Sequence, residues 1–329
     1  MRPKFYFMLK YTVLLSCLGT ILFLSHSCKK DGTNNPPEPG PDTTNHEETS
    51  PFYGKTLTKR PLLVEYWGGC CYDRSSVGPL DAIPDSVDVV NIFTLGIGRT
   101  AEGTWEFEHR GVSGQNEWSD VLTKAHALQK RGIRIVATSF AGGLVKLSAA
   151  AADSMAKVVK DSLDKWKFDG IDLDLEYGNV RTANIDSGLI ALGKYVGPAS
   201  KTGRILSVVD YNNYNLAQIK RSKEYIDYVM TMSYWNKAAD VMKWVQSYGD
   251  GIGNRQNVLI GVGAGCAINA GQATLPGEEL KIADTLRASA PGSGMMEFIF
   301  GCSYNNKDQN GNITKDVSYT TNIINKLKK

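Results

Sequence analysis

Phe168-Asp169-Gly170-Ile171-Asp172-Leu173-Asp174-Leu175-Glu176-Tyr177-Gly178 carries acids and aliphatics in strict alternation from Ile171 to Glu176. Successive side chains on a strand point to opposite faces, so Ile171, Leu173 and Leu175 share one face and Asp172, Asp174 and Glu176 share the other. Consecutive acids of the row stand about 6.6 Å apart, twice the rise per residue. Such a strand needs an apolar layer on one side and an enclosed polar space on the other.

Reading outward, the chain from residue 62 alternates short apolar runs with amphipathic stretches. Strands are expected at 62–67, 88–95, 134–139, 170–175, 205–209, 228–233, 258–262 and 295–300. Helices are expected at about 118–130, 183–196, 238–247, 278–289 and 316–327, and from Ser148, an N-cap, through the alanines to Trp166. Eight strands rich in Val, Ile and Leu, joined by helical crossovers, imply a parallel sheet covered on both faces. Closing it gives a (β/α)8 TIM barrel. An open doubly wound sheet is the alternative. It would commonly show a glycine-rich phosphate loop after an early strand, and Gly261-Val262-Gly263-Ala264-Gly265 follows a late one and is not G-x-G-x-x-G.

Within a barrel the acid row points inward. Three lined-up carboxyls cannot all ionise cheaply, so repulsion and burial should raise the pKa of at least one. A proton held near neutral pH is what a general acid requires. Glu176 is the candidate, because it lies at the strand's C-terminal end, where barrel active sites sit. Such a row would also suit Mg2+ or Ca2+, or form a satisfied polar layer; we read it as acid–base chemistry with no metal and no cofactor. His109 and His126 are the two histidines left in the domain, too few for a His-rich zinc site.

The N-terminus reads as an address. Tyr11 to Leu24 is an apolar run of 14 residues behind Lys4 and Lys10, shorter than the roughly 20 needed to span a bilayer, and it fits a secretory signal. Leu24-Ser25-His26-Ser27-Cys28 resembles a bacterial lipoprotein box, with the leucine one step early. We expect residues 1–27 to be a lipoprotein signal peptide and Cys28 to be lipidated; plain secretion is the alternative. Five of the 12 prolines fall between 36 and 51, so 28–60 is expected to be a flexible tether and 61–329 the barrel. The chain has 37 basic and 34 acidic residues, and the excess is Arg2, Lys4 and Lys10 of the leader. The remainder is formally neutral, with no electrostatic reason to seek nucleic acid. The expected location is the bacterial cell envelope, held to the membrane by a lipid anchor, as a monomer.

The acid strand resembles the signature of glycoside hydrolase family 18, D-G-x-D-x-D-x-E on the fourth barrel strand, through Asp169, Gly170, Asp172, Asp174 and Glu176. The resemblance implies a TIM barrel that hydrolyses β-1,4-linked N-acetylglucosamine with retention, by a mechanism in which the substrate assists. It implies that Glu176 protonates the glycosidic oxygen and later activates water, while the 2-acetamido oxygen of the substrate attacks the anomeric carbon. Asp174 would orient the acetamido N–H, and Asp172 would tune Asp174 from behind. The family's M-x-Y-D reads Met232-Ser233-Tyr234-Trp235, followed by Asn236, so Tyr234 matches and the Asp does not. The family's S-x-G-G is stretched to Ser139-Phe140-Ala141-Gly142-Gly143.

About 30 residues separate the seventh and eighth strands, too few for the extra domain of many chitinases. Glu176-Tyr177-Gly178 resembles the endo-β-N-acetylglucosaminidase branch, which cuts the chitobiose core of N-glycans. The expected substrate is therefore an oligosaccharide or a glycoprotein N-glycan. A chitinase acting on chitin oligomers and a non-catalytic glycan-binding protein are the alternatives. Aromatic rings at strand ends, Trp67, Trp235 and Tyr211, are candidate sugar platforms, with Asn236 beside them as a substrate-binding residue. Cys70 and Cys71 follow strand one and Cys302 follows strand eight, neighbours in a closed barrel, so Cys302 is expected to pair with one of the other two.

Overall fold

Parity decides which residues of each strand meet the helices. In a computed structural model of the chain, describing residues 49–68, 77–109, 112, 117–176, 184–263, 273–305 and 315–329, the strands are β1 (Leu63–Trp67), β2 (Val89–Arg99), β3 (Trp105–Glu108), β4 (Arg134–Phe140), β5 (Gly170–Asp174), β6 (Ile205–Asp210), β7 (Tyr228–Thr231), β8 (Val258–Gly263) and β9 (Gly294–Phe298). Eight of them run parallel in the order β1-β9-β8-β7-β6-β5-β4-β2, and a β1–β2 pairing closes the ring. β3 pairs antiparallel with the outer end of β2, from Gly96↔Glu108 to Arg99↔Trp105. This hairpin lies in the long connection between the second and third expected strands.

The helices follow the strands as α1 (Trp118–Lys130), α2 (Ala149–Trp166), α3 (Asp186–Leu192), α4 (Leu216–Arg221), α5 (Ala238–Ile252), α6 (Glu278–Ser289), α7 (Phe300–Tyr304) and α8 (Ser318–Leu327). α2 starts where Ser148 Oγ accepts from the Ala151 N–H at 3.3 Å, which satisfies one of the free amide groups of the first turn. It buries Ala152, Met155, Ala156, Val159, Leu163 and Trp166, a stripe at helical spacing. α4 and α7 are short additions to the expected set. α7 begins with the apolar Phe300, which the run from Met295 makes read as strand.

Two apolar cores result. The outer one, between strands and helices, holds Leu63, Trp67, Ile171, Leu173 and Leu175. The inner one fills the barrel with Leu62, Val64, Tyr66, Val89, Phe93, Val136, Ile205, Val209, Tyr228, Met230, Leu259 and Met296. The barrel is thus a packed core, as eight-stranded barrels are. Gly170 opens β5 where a Cβ would run into the Ile205 backbone, so the motif glycine allows close approach of two strands.

The floor is closed by residues from the stretch read as tether. Ser50 Oγ hydrogen-bonds Asp169 Oδ1, and Asp169 Oδ2 accepts from Gln129 Nε2 at 2.7 Å and the Ile135 N–H at 2.8 Å. The Arg134 guanidinium lies over the Phe52 ring at 5.0 Å and donates to the carbonyls of Gly203 and Lys55. Asp169, the first acid of the motif, is therefore a floor residue. Among the described residues no helix is long and apolar enough to cross a membrane.

Candidate active site

β5 delivers the acids in the expected order. Asp172 is fully buried, Asp174 is 6% exposed, and Glu176 lies exposed just beyond the strand. The row thus climbs from the interior to the mouth. Asp172 is surrounded by hydroxyls. Tyr66 Oη donates to its Oδ2 at 2.5 Å, Thr138 Oγ1 to the same oxygen at 3.2 Å, and Ser207 Oγ to Oδ1 at 2.7 Å. The donors come from β1, β4 and β6, so Asp172 ties the two neighbours of β5 to β1 across the barrel. Burial pushes its carboxyl up to about 6, and the hydroxyl donors limit the rise.

Asp174 is held well above the usual carboxylate range, first by burial and then by the charge of Glu176, with Asp172 and Asp210 adding to it. Its Oδ1 accepts the Glu176 N–H at 2.9 Å. The expectation that crowding raises at least one carboxyl pKa holds for Asp172 and Asp174, with desolvation the larger cause in both. The arrangement can retain a proton at neutral pH and keep it beside an exposed carboxyl.

The wall opposite is aromatic. Tyr234 is half-buried and stacks on Phe298, with centroids 5.9 Å apart and planes 23° apart. Phe298 in turn meets Tyr66 at 5.6 Å and Phe93 at 5.5 Å, both edge-on, and Phe93 meets Phe140 at 5.6 Å. These rings bring β1, β2, β4 and β9 together above Asp172. At the rim beside β6 and β7, Tyr211 packs on Trp235 at 5.4 Å and on Tyr214 at 5.8 Å. Tyr214 is 47% exposed, so this aromatic group reaches solvent. Asn236 closes the turn by donating its N–H to the Ser233 carbonyl at 2.9 Å, and its Nδ2 is buried without a hydrogen-bond acceptor.

Trp67 corrects the sequence reading. It is 3% exposed, belongs to the outer core, and its Nε1 donates to the Gly78 carbonyl at 2.7 Å. No sugar can stack on it. Its neighbour Tyr66 is the residue of that strand end that reaches the acid row. Leu62, Val64 and Tyr66 share the inward face, a choice of face that a strand buried on both sides does not show in its sequence. On β4 the residue that meets the acid row is Thr138 and not Ser139, the serine of the stretched motif. Ser139 points outward and accepts from the Ile97 N–H at 3.1 Å, while Thr138 reaches Asp172. Ser207, Asp210 and Phe298 were also missed. Each is an inward or strand-end residue, and apart from Asn215 beside Asp210 their partners are distant in sequence. Trp105, Phe107 and His109 belong to the hairpin side, where Phe107 packs on Trp166 and His109 stacks on Trp118.

Cys302 is disulfide-bonded, whereas Cys70 and Cys71, its expected partners, lie outside the described residues, as does Cys28. Among the described residues no group of three or more His, Cys, Asp or Glu is arranged to hold a metal ion.

Comparison with known proteins agrees with this fold. The model of the endo-β-N-acetylglucosaminidase EndoS TIM-barrel domain matches residues 66–264, more than half of the chain. The solved endo-β-N-acetylglucosaminidase of Cordyceps militaris superposes with a TM-score of 0.63 at 20% identity, over 83% of this chain and 92% of that one. A mutant of the same enzyme, in complex with fucosyl-N-acetylglucosamine-Asn, superposes with a TM-score of 0.63 at 19% identity, over 83% and 92%. A family 18 chitinase of Chromobacterium violaceum gives 0.63 at 16% identity, over 84% and 86%. At these identities the structures speak for the fold, and the family model together with the acid strand speaks for the family. The chain belongs to the EndoS-type TIM-barrel family of endo-β-N-acetylglucosaminidases and is a glycoside hydrolase of family 18.

Proposed function

We propose that this barrel cleaves the β-1,4 bond within the chitobiose core of N-glycans, with retention and with the substrate's own acetamido group as nucleophile. The observation that carries the reading is the placement of Asp172, Asp174 and Glu176 on one inward row, with Glu176 alone exposed at the mouth. The match to an endo-β-N-acetylglucosaminidase barrel supports this branch over the chitinases. So does the short connection between Gly263 and Gly294, which carries α6.

Glu176 gives its proton to the glycosidic oxygen as the C1–O bond breaks, and the reducing-end part of the substrate leaves as an alcohol. The acetamido oxygen bonds to C1 from the opposite face, forming an oxazolinium ion. Asp174 accepts the acetamido N–H and stabilises the positive charge that develops there. The Tyr234 hydroxyl donates to the acetamido oxygen and aligns it. Water then attacks C1, its proton passes to the Glu176 carboxylate, and the acetamide and the acid are both restored. Two inversions give net retention. Burial and the charge of Glu176 raise the Asp174 carboxyl, and in this reading the pair shares one proton, which Glu176 carries when it meets the glycosidic oxygen. Tyr211, Trp235 and Asn236 are placed to bind sugar residues along the rim.

Incubating the protein with a high-mannose glycopeptide and with chitin oligomers, and following both by mass spectrometry, tests the substrate assignment. Release of a glycan that leaves one N-acetylglucosamine on the peptide is expected. Turnover of chitin oligomers alone would select the chitinase reading. The sequence motif ending at Cys28 extends the proposal to a lipid-anchored enzyme of the bacterial cell envelope, acting on glycoproteins near the membrane. Fatty-acid labelling that persists in Cys28→Ala would refute the anchor.

A further inference from the structure

Glu176 must be aimed, yet it lies past the last residue of β5. Leu175 still donates its N–H to the Val209 carbonyl at 2.9 Å; Glu176 itself is in neither of the ladders of β5. The peptide group joining Leu175 to Glu176 is instead held at both edges. Its N–H, that of Glu176, donates to Asp174 Oδ1 at 2.9 Å, and its carbonyl, that of Leu175, accepts from Asn215 Nδ2 at 3.0 Å. A peptide group is planar, so two bonds at opposite edges set the plane and with it the direction in which Glu176 leaves the backbone.

Asn215 is itself fixed. Its second amide hydrogen goes to Asp210 Oδ1 at 2.8 Å, its Oδ1 accepts from Gln218 Nε2 at 3.1 Å, and its backbone N–H donates to Asp210 Oδ2 at 3.3 Å. Asp210 Oδ2 also accepts from Tyr248 Oη at 2.8 Å, and that hydroxyl accepts the Asn213 N–H at 3.0 Å. Asn215 is 1% exposed, and Asp210 and Tyr248 are fully buried. Buried polar groups are costly unless bonded, and this carboxamide is bonded at every position. The same loop carries Tyr211, and it turns sharply through Asn212 and Asn213 at φ of 55° and 58°.

We propose that Asn215 is a positioning residue for Glu176, gripping the Leu175 carbonyl while Asp210 and Tyr248 hold the Asn215 carboxamide in place. The proposal rests on the reading of Glu176 as the general acid, but its geometry can be tested without substrate. In Asn215→Ala, made in the full chain, amide hydrogen exchange at Glu176 should quicken at least about tenfold while Ile171, lower on the same strand, is unchanged. On a glycopeptide, kcat should fall about 10- to 100-fold with KM within about twofold. Tyr248→Phe should give a smaller change in the same direction, and it carries the test if Asn215→Ala does not fold. Unchanged exchange at Glu176 in a folded Asn215→Ala would overturn the proposal. Uniformly faster exchange along β5 would do the same, since it marks a merely structural role. If wild-type protein releases no glycan, the functional reading fails, and the exchange result still decides the positioning claim.

Discussion

Asp172 has three hydroxyl donors, and removing one should move its titration in a known direction. Hydrogen bonds to a carboxylate favour the charged form, and the Tyr66 donor limits the upward shift of Asp172 to about 6. Tyr66→Phe should therefore raise the Asp172 pKa above that value. If the ionised form supports Asp174 during catalysis, the acid side of the kcat/KM profile moves to higher pH and kcat falls about tenfold. A profile superposable on that of the wild type would refute this role. The two aromatic strand ends give a paired prediction. Trp67→Ala should cost about 3–5 kcal/mol of stability through the cavity it leaves, with KM unchanged. Trp235→Ala should raise KM and leave the melting temperature near its wild-type value. Titration of a glycan against heat-checked variants separates the two. The acid row was legible because alternating acids and aliphatics admit one parity. Tyr66 was not legible. In a strand buried on both faces, Leu62-Leu63-Val64-Glu65-Tyr66-Trp67, periodicity alone does not say which aromatic faces inward.

The same strand also carries Glu65, which faces outward and stands directly across from Glu297 of β9. Both are fully buried, and Thr320 Oγ1 of α8 donates to Glu297 Oε2 at 2.9 Å. Burial and, for Glu65, the charge of its partner raise the carboxyl pKa well above 4.5, and burial raises that of Glu297. Glu279 of α6 and Tyr319 of α8 add no positive charge. The folded state thus keeps protons that the unfolded chain releases, and this seam loses stability as pH rises above about 4.5. Glu65→Gln should flatten the decline of melting temperature between pH 5 and 8. An unchanged slope would show that the pair does not titrate. Element by element, the eight barrel strands could be read from apolar runs and turn residues. The β2–β3 hairpin could not, because Trp105-Glu106-Phe107-Glu108 is short and charged and follows Gly96, Gly98 and Gly103. Those cues read as loop, and pairing with the long β2 overrides them.

At the scale of the molecule, the catalytic row and the floor are two ends of one construction. Asp169, bonded to Ser50, Gln129 and the Ile135 N–H, stands just before β5, and Glu176 stands just after it. A chain starting at residue 49 should therefore keep full stability and activity. One starting at residue 61 loses Ser50, Phe52 and Lys55 from the floor and should melt several degrees lower; equal melting temperatures would remove the floor from the account of stability. The family could be read from five motif positions on one strand. The supporting contacts to Asp172 could not, because they join residues 34 to 106 positions apart. The central claim is that Glu176 is the acid of a glycan-releasing site. Wild type and Glu176→Gln, incubated with a high-mannose glycopeptide and analysed by mass spectrometry, test it directly. We expect wild type to leave the peptide carrying a single N-acetylglucosamine, and Glu176→Gln, folded with an unchanged melting temperature, to release glycan at least about a thousandfold more slowly. Glycan release at equal rates by the two proteins, or none by wild type at any enzyme load, would contradict it.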